Sequence, residues 1–399
     1  MKRPSVFCAV IVFLLSVSTA SALETTAIYK QTQDYLVTII TMAKPTISYS
    51  EYKSIKKEWE EFVKKLDKSK DDVAKMKNQL RKIDPDYIFP LDFFEDIAKN
   101  TPKFEELWPY PGAKAASGAG FFINHSGMVT TNHHVIAMPG STVRVLFKGK
   151  YYSAKVVGKD AFSDLAILRA EGIDPAKYTP VALGDSDALA VGQRVVIAGN
   201  PRGLLGSLSE GIVSGLNRSL GALGPGASWP GMIQTDASVD QGNSGGPMID
   251  KNTGNVVGVV NATIQSFGFA VPVNALKRFV KNVLLFGKAR WGMLGADISD
   301  VPVSGIAKEI AREEYGLPEV TVDHGALVRK VRENSPAQKA GLKDGDVIVK
   351  VGGQPVNGSS ALILAVAMSE PGARGKITVV RGDKEMVLTI VWGERPDNF

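Results

Sequence analysis

A chain of 399 residues with 44% hydrophobic and 22% charged residues has the balance of an ordinary globular protein and enough length for two or three cores. Its formal net charge of +6 is too small to argue for a nucleic-acid partner. The one cysteine, Cys8, lies near the N-terminus, so cysteine-dependent catalysis and Cys-type zinc sites are excluded from everything after it.

Lys2 and Arg3 precede the apolar run Val6–Val17, and Ala20-Ser21-Ala22 supplies small residues at a cleavage spacing. Residues 1–22 are therefore expected to be a secretory signal peptide, cut after Ala22. The alternative is an N-terminal membrane anchor, but the run is short beside the ~20 residues that a bilayer requires. Cleavage would remove Cys8 and leave 45 basic against 41 acidic residues. The product would carry no disulfide into an oxidising compartment. No second long apolar run follows, so no integral membrane segment is expected after cleavage.

Tyr35–Thr41 is rich in β-branched and aromatic residues and reads as a buried strand ended by Pro45. From Ser50 the period changes. Tyr52, Ile55, Trp59, Phe62, Leu66, Val73, Met76, Leu80 and Ile83 follow a 3–4 spacing until Pro85, which predicts a long amphipathic helix with a narrow apolar seam. Such a helix would serve as an oligomerisation element or a lid, or would simply lie on its own domain. An aromatic-rich connector (Phe93, Phe94, Phe104, Trp108, Tyr110) leads to residue 115.

Short strands separated by turn residues follow: Gly118–Phe122, Met128–Thr131, Val143–Phe147, Ala154–Val157, Leu165–Leu168, Val195–Ile197 and Val256–Val260. This spacing predicts a mainly β barrel or sandwich. In Asp240-Gln241-Gly242-Asn243-Ser244-Gly245-Gly246-Pro247, glycines permit a tight turn that exposes Ser244 Oγ and aims the Gly242 and Ser244 amides at one point. A hydroxyl beside paired N–H donors is the equipment of acyl transfer, a nucleophile plus an oxyanion hole. The plain alternative is a Gly-rich turn whose serine satisfies a local amide.

Two other stretches bear on that choice. Thr130-Thr131-Asn132-His133-His134-Val135-Ile136 runs a strand into a polar turn, and Asp160-Ala161-Phe162-Ser163-Asp164-Leu165 leads into another strand. A histidine suits general-base work near neutral pH, and a carboxylate on its other nitrogen fixes tautomer and orientation. The chain order His…Asp…Ser is that of the chymotrypsin-type double barrel.

Thr131-Asn132-His133-His134-Val135, Ser163-Asp164-Leu165-Ala166 and Gly242-Asn243-Ser244-Gly245-Gly246 together resemble the HtrA/Deg family of trypsin-like serine proteases. Gly199–Leu204, Ser209–Ser214 and Ile233–Ala237 are similar to further segments of that family. The resemblance implies His134 as base, Asp164 as orienting acid, Ser244 as nucleophile, and the Gly242 and Ser244 amides as the oxyanion hole. Asp160 is then a turn residue, and His133 sits where the family varies. Asn243 replaces the aspartate that pairs with a new N-terminus in digestive proteases, so that form of zymogen activation is not expected. Ser238, uncharged and six residues before Ser244, is expected near the base of the specificity pocket. Asn261, Ala262 and Thr263 are expected to pair with substrate backbone. A neutral pocket argues against Lys or Arg at P1. The Gly- and Pro-rich stretch Asn217–Pro230 is the candidate activation loop.

From about Arg290 a second β-rich unit begins. Ser335–Leu342 and Ser360–Met368 predict short helices between strands at Ala326–Val328, Val347–Val349 and Ile377–Val380. Ser335–Val351 and Asp383–Ile390 resemble a PDZ domain, and by position Trp291-Gly292-Met293-Leu294-Gly295-Ala296 matches its carboxylate-binding loop, with Met293, Leu294, Gly295 and Ala296 as the carboxylate site. Such modules add an extended peptide to a sheet edge; the alternative is a module that only packs or spaces subunits. Ser304–Val320 is assigned to no element.

The expected organisation is thus mainly β. It comprises a signal peptide (1–22), a first barrel strand with a long helical insertion (23–115), a trypsin-like double-barrel protease domain (116–288) and a PDZ domain (289–399). The resemblance implies an exported, periplasmic or secreted, ATP-independent serine endopeptidase that acts on unfolded or misfolded proteins. It also implies binding of C-terminal peptides through the PDZ domain, and a homo-oligomer of trimers or larger assemblies. No cofactor, metal or nucleic acid is expected. The alternative function is a chaperone or peptide-binding scaffold with minor or lost proteolysis.

Overall fold

The structure, a computed structural model, describes residues 23–42, 49–64, 115–200, 206–220, 229–264, 266–302, 309, 313 and 321–396. The signal peptide, the aromatic connector, most of Ser304–Val320 and most of the candidate activation loop lie outside the described residues. So does the predicted helix beyond residue 64.

A short helix α1 (Thr25–Thr32) opens the described chain, with Ile28 buried in the core below it. Strand β1 (Leu36–Met42) follows, buried at every position after Leu36. Helix α2 (Tyr49–Lys64) occupies the first part of the predicted amphipathic segment, with Trp59 buried. Next come β2 (Ala115–Phe122), β3 (Met128–Asn132), β4 (Thr142–Phe147), β5 (Lys150–Asp160) and β6 (Leu165–Ala170). These strands close with β1 into a barrel in the order β1-β2-β3-β6-β5-β4. Closure leaves no unpaired edge, and the interior fills with alternating apolar side chains such as Ile39, Phe121, Val129, Val145 and Ile167. At the end of β3 the buried positions turn polar, with Thr130, Thr131 and Asn132 all fully buried. Buried polar side chains must find partners, and these point the strand end at a structured site.

A second barrel, ordered β10-β11-β12-β9-β8-β7, comprises β7 (Arg194–Gly199), β8 (Ser207–Arg218), β9 (Met232–Thr235), β10 (Pro247–Asp250), β11 (Val256–Ile264) and β12 (Phe267–Pro272). The chymotrypsin-type double barrel is therefore present. Helix α3 (Val273–Phe286), unanticipated from sequence, follows directly. It buries Val273, Ala275, Leu276, Phe279 and Val283 on one stripe and stops at Gly287 in a left-handed cap with φ 74°.

The C-terminal unit contains β13 (Gly292–Met293), β14 (Ala296–Asp300), β15 (Ala326–Val331), α4 (Pro336–Lys339), β16 (Val347–Val351), β17 (Gln354–Pro355), α5 (Ser359–Ala367), β18 (Arg374–Arg381), β19 (Lys384–Val391) and β20 (Gly393–Glu394). Its main sheet runs β14-β15-β16-β18-β19, with β14 at one edge, while β13 pairs β20. The helices and strands expected for a PDZ module thus stand where the sequence placed them.

This unit is docked on the barrels. The Arg278 guanidinium on α3 donates to the carbonyls of Met368 (3.0 Å) and Ser369 (2.7 Å) beyond α5. Trp229, Trp291 and Phe162 form a ring cluster, with Trp229 and Trp291 centroids 4.8 Å apart. One continuous apolar core runs from both barrels to Trp291 and Ala367.

Candidate active site

The site forms where the two barrels meet. After β3 the chain enters a single 3₁₀ turn, His134–Ile136, held by the Thr41 hydroxyl donating to Val135 O at 2.8 Å. Asp164 stands at the turn between β5 and β6, one residue ahead of the buried run Leu165–Leu168. Its φ of +51° is left-handed, a region that costs an L-residue roughly 1–2 kcal/mol. Surrounding bonds maintain it: His133 N and Asn132 Nδ2 both donate to Asp164 O at 3.0 Å.

The Asp164 carboxylate is almost fully buried, and three donors satisfy it. His134 N donates to Oδ1 at 2.8 Å, the His134 ring nitrogen Nδ1 meets Oδ2 at 2.6 Å, and Asn261 Nδ2 donates to the same Oδ2 at 2.6 Å. A buried charge is tolerable only with such partners. The carboxylate accepts a hydrogen bond from Nδ1–H, which leaves Nε2 as the lone-pair nitrogen of a side chain that is 42% accessible. The neighbouring His133 has its pKa lowered, chiefly by burial, which favours its neutral form.

Ser244 lies in the turn between β9 and β10, half-buried. Three bonds shape the turn: Asn243 N to Asp240 O (3.0 Å), Gly246 N to Asn243 O (2.9 Å) and Gly245 N to Val260 O (2.8 Å). Gly245 has φ +86°, and a Cβ there would strike Ala119 O and Thr131 Oγ1, so only glycine fits. Ala119 N of the first barrel donates to Ser244 O at 2.8 Å, which stitches the serine turn to the histidine barrel. The amides of Gly242 (φ +105°) and Ser244 donate to no group among the described residues. The Ser244 hydroxyl donates to Asn261 O at 3.2 Å, not to His134.

Asn261 thus touches both Asp164, through its side chain, and Ser244, through its carbonyl. Sequence reasoning named it only as part of a substrate-pairing strand. The clue available in the sequence was an asparagine directly after the apolar run Val256–Val260, and the structure buries it. Ala262 and Thr263 pair with β12, whereas β10 covers β11 only as far as Val259. The strand therefore has one side without a partner among the described residues. Thr263 Oγ1 donates to Val239 O at 2.9 Å, tying this strand to the segment of Ser238, which is itself exposed. Buried Asn243 has no partner on its Oδ1 among the described residues.

In the C-terminal unit, Leu294 is buried and its carbonyl accepts from Ala337 N (2.9 Å), while Gly295 has φ +77°. The amides of Leu294 and Gly295 donate to nothing among the described residues. The loop Met293–Ala296 enters edge strand β14, which among the described residues pairs only with β15. The Trp291 indole, at the start of this segment, is buried and donates to Asp160 Oδ2 at 2.8 Å.

Two closed β-barrels, with a His134–Asp164 pair linked through Asn261 to a serine in a Gly-rich turn at their junction, define the trypsin-like class. Accordingly, a trypsin-like peptidase domain model matches residues 118–259 and a PDZ domain model matches 303–391. A putative serine protease HhoB of Synechocystis sp. (strain ATCC 27184 / PCC 6803 / Kazusa) is 35% identical over 302 residues, covering 74% of this chain and 71% of that protein. A probable periplasmic serine endoprotease DegP-like of Rhizobium meliloti (strain 1021) is 36% identical over 289 residues, covering 71% of this chain. The chain belongs to the HtrA/DegP family. It spans only about half (54%) of the length of that Rhizobium relative. Among solved structures, the HtrA-type protease AlgW with a decapeptide shares the fold over 94% of this chain and 99% of its own, at TM-score 0.62 and 23% identity. AlgW with a tripeptide matches over 71% of this chain and 91% of its own, at TM-score 0.55 and 29% identity.

Proposed function

We propose that this protein is an exported serine endopeptidase that hydrolyses unfolded or misfolded polypeptide without ATP and uses its PDZ domain to capture C-terminal peptides. The observation that carries the reading is the Asp164 network, in which one buried carboxylate receives the His134 ring and Asn261 beside Ser244. Ser244 Oγ turns from Asn261 O to His134 Nε2 and attacks the scissile carbonyl carbon while His134 takes its proton. The oxyanion that forms meets the unused amides of Gly242 and Ser244. His134 then gives the proton to the leaving amine nitrogen, the C–N bond breaks, and an ester on Ser244 remains. Water, deprotonated by His134, hydrolyses that ester and regenerates the hydroxyl. Asp164 stays ionised throughout and stabilises the imidazolium.

Substrate backbone would add to the open side of Asn261–Thr263, and Ser238 would leave the P1 pocket neutral. Apolar P1 groups are mostly buried in folded proteins, so unfolded chains would be preferred. In the PDZ domain, the Met293–Ala296 loop would hold a terminal carboxylate on its free amides, with the peptide extending β14. AlgW carries a decapeptide in one of these structures and a tripeptide in another, and the Rhizobium relative is a probable periplasmic endoprotease, which supports peptide capture and export here. Among the described residues, no helix is long and apolar enough to cross a membrane. Assembly into trimers or multiples of trimers is part of this proposal.

A second reading, a peptide-holding chaperone with minor proteolysis, draws on the Ser244 hydroxyl being engaged by Asn261 O and not by His134. Incubating residues 23–399 and the Ser244→Ala variant with an unfolded, cysteine-free polypeptide, and mapping fragments by mass spectrometry, separates the two. Cleavage by the parent alone supports the protease. Protection from aggregation without cleavage by either supports the chaperone.

A further inference from the structure

Asp160 does more than end β5. Its single oxygen Oδ2 accepts from Ser163 N (2.9 Å), Ser163 Oγ (2.5 Å) and, from the C-terminal unit, Trp291 Nε1 (2.8 Å). Ser163 is fully buried and immediately precedes Asp164, the left-handed residue whose carboxylate orients His134. The unit holding Trp291 closes on the same turn a second way. Arg395 N donates to Trp291 O at 2.8 Å, and the Arg395 guanidinium lies 4.0 Å over the Phe162 ring. Phe162 packs on Trp229 and Trp291 in turn. A turn carrying a strained residue keeps it only while its surroundings hold it, and here one of the holding donors comes from outside the barrels.

We infer that Asp160 is a positioning residue that couples the docked PDZ domain to the catalytic acid: the Trp291 N–H fixes the Asp160 carboxylate, which fixes Ser163 and hence Asp164. The inference rests on the proposed protease reading for its kinetic consequence but not for its structural one. Three donors on one oxygen leave that carboxylate little rotational freedom. Removing the indole donor frees it to swing and loosens the turn. Because Asp164 O also accepts from His133 N and Asn132 Nδ2, the loosening reaches the histidine segment through Asp164.

The test uses Trp291→Phe, which keeps one aromatic ring in the cluster and deletes the indole donor with its second ring, together with Asp160→Asn and the double variant, all as residues 23–399. With a short peptide substrate that does not need the PDZ groove, kcat falls about tenfold in each single variant, the loss of roughly one charge-assisted hydrogen bond, while KM holds. The double variant falls no further than the worse single one, because both act on one contact. Hydrogen–deuterium exchange read by mass spectrometry gives the structural arm without catalysis: amides in 160–165 and in 132–136 exchange faster in both variants, and those of β18–β19 do not. Unchanged exchange in 132–136 overturns the inference whatever the activity, and so does parent-like kcat in an active preparation. A parent that hydrolyses nothing, with the exchange pattern as described, overturns the protease reading and leaves the coupling standing.

Discussion

Removal of the Asn261 side chain isolates the least expected part of the site. Its Nδ2 lies 2.6 Å from Asp164 Oδ2, on the same oxygen that meets His134 Nδ1. Both residues are buried, Asn261 at 5% and Asp164 at 1% exposure, so water does not readily replace the lost donor. A hydrogen bond to a charged acceptor is worth about 1.5–3 kcal/mol, and Asn261→Ala should destabilise the double barrel by about 2 kcal/mol, lowering Tm by roughly 4–8 °C. The same loss lets the carboxylate turn away from the imidazole, and about 1.4 kcal/mol in the transition state is a tenfold fall in kcat. KM should change little, because the side chain faces the acid and not the substrate strand. Asn261→Asp provides the contrast: it sets two carboxylates against each other in a buried place, where both cannot ionise, and should lower kcat further. Peptide hydrolysis kinetics at constant folded fraction, with calorimetry alongside, measure both effects. A folded Asn261→Ala enzyme with kcat within twofold of the parent would refute the reasoning.

Two further predictions concern the frame around the site. Gly245→Ala forces a Cβ into Ala119 O and Thr131 Oγ1 at φ +86°, and should reduce both folded yield and activity far more than Gly372→Ala, whose Cβ meets nothing within 4 Å although its φ of +85° carries the same backbone strain; equal yields for the two would contradict the packing argument. Glu210 has its pKa pushed down to about 2, first by its bond from Lys251 and then by Thr25 Oγ1, with Arg194 also paired to it. A depressed carboxylate stabilises the fold above its unfolded pKa of about 4.5 and loses that contribution as pH falls from there toward 2. Urea unfolding across this window should show a smaller loss of stability in Glu210→Gln than in the parent, and parallel curves would sink the assignment.

Much of this arrangement was legible in the chain. The His, Asp and Ser segments each combine a strand with a turn whose residue types have few other uses, and their order selected the double barrel. The run of β-branched and aromatic residues in β1 and the short strands of β4 and β6 between turn residues made the first barrel readable, and the Ser335–Leu342 segment did the same for a helix of the C-terminal unit. What escaped shares one physical feature: it depends on contacts between residues far apart in sequence. Asn261 meets Asp164 across 97 positions and Trp291 meets Asp160 across 131, and no local spacing encodes either. Asp160 read as a turn former because that is its local role. Helix α3 was missed because its start follows a strand without a side-chain cap, Pro272 standing at the N-cap position. Helix α1 was missed for its length of only 8 residues.

The central claim is that Ser244 is a nucleophile activated by His134 and oriented through Asp164. Reaction with an organophosphonate probe, followed by peptide mapping, tests it most directly, since the probe needs no knowledge of the natural substrate. The account predicts one modification on Ser244, none in Ser244→Ala, and labelling slowed by orders of magnitude in His134→Ala and Asp164→Asn, a change that costs about 10⁴ in kcat where a triad operates. Labelling on another serine, or at parent rate in His134→Ala, would contradict it.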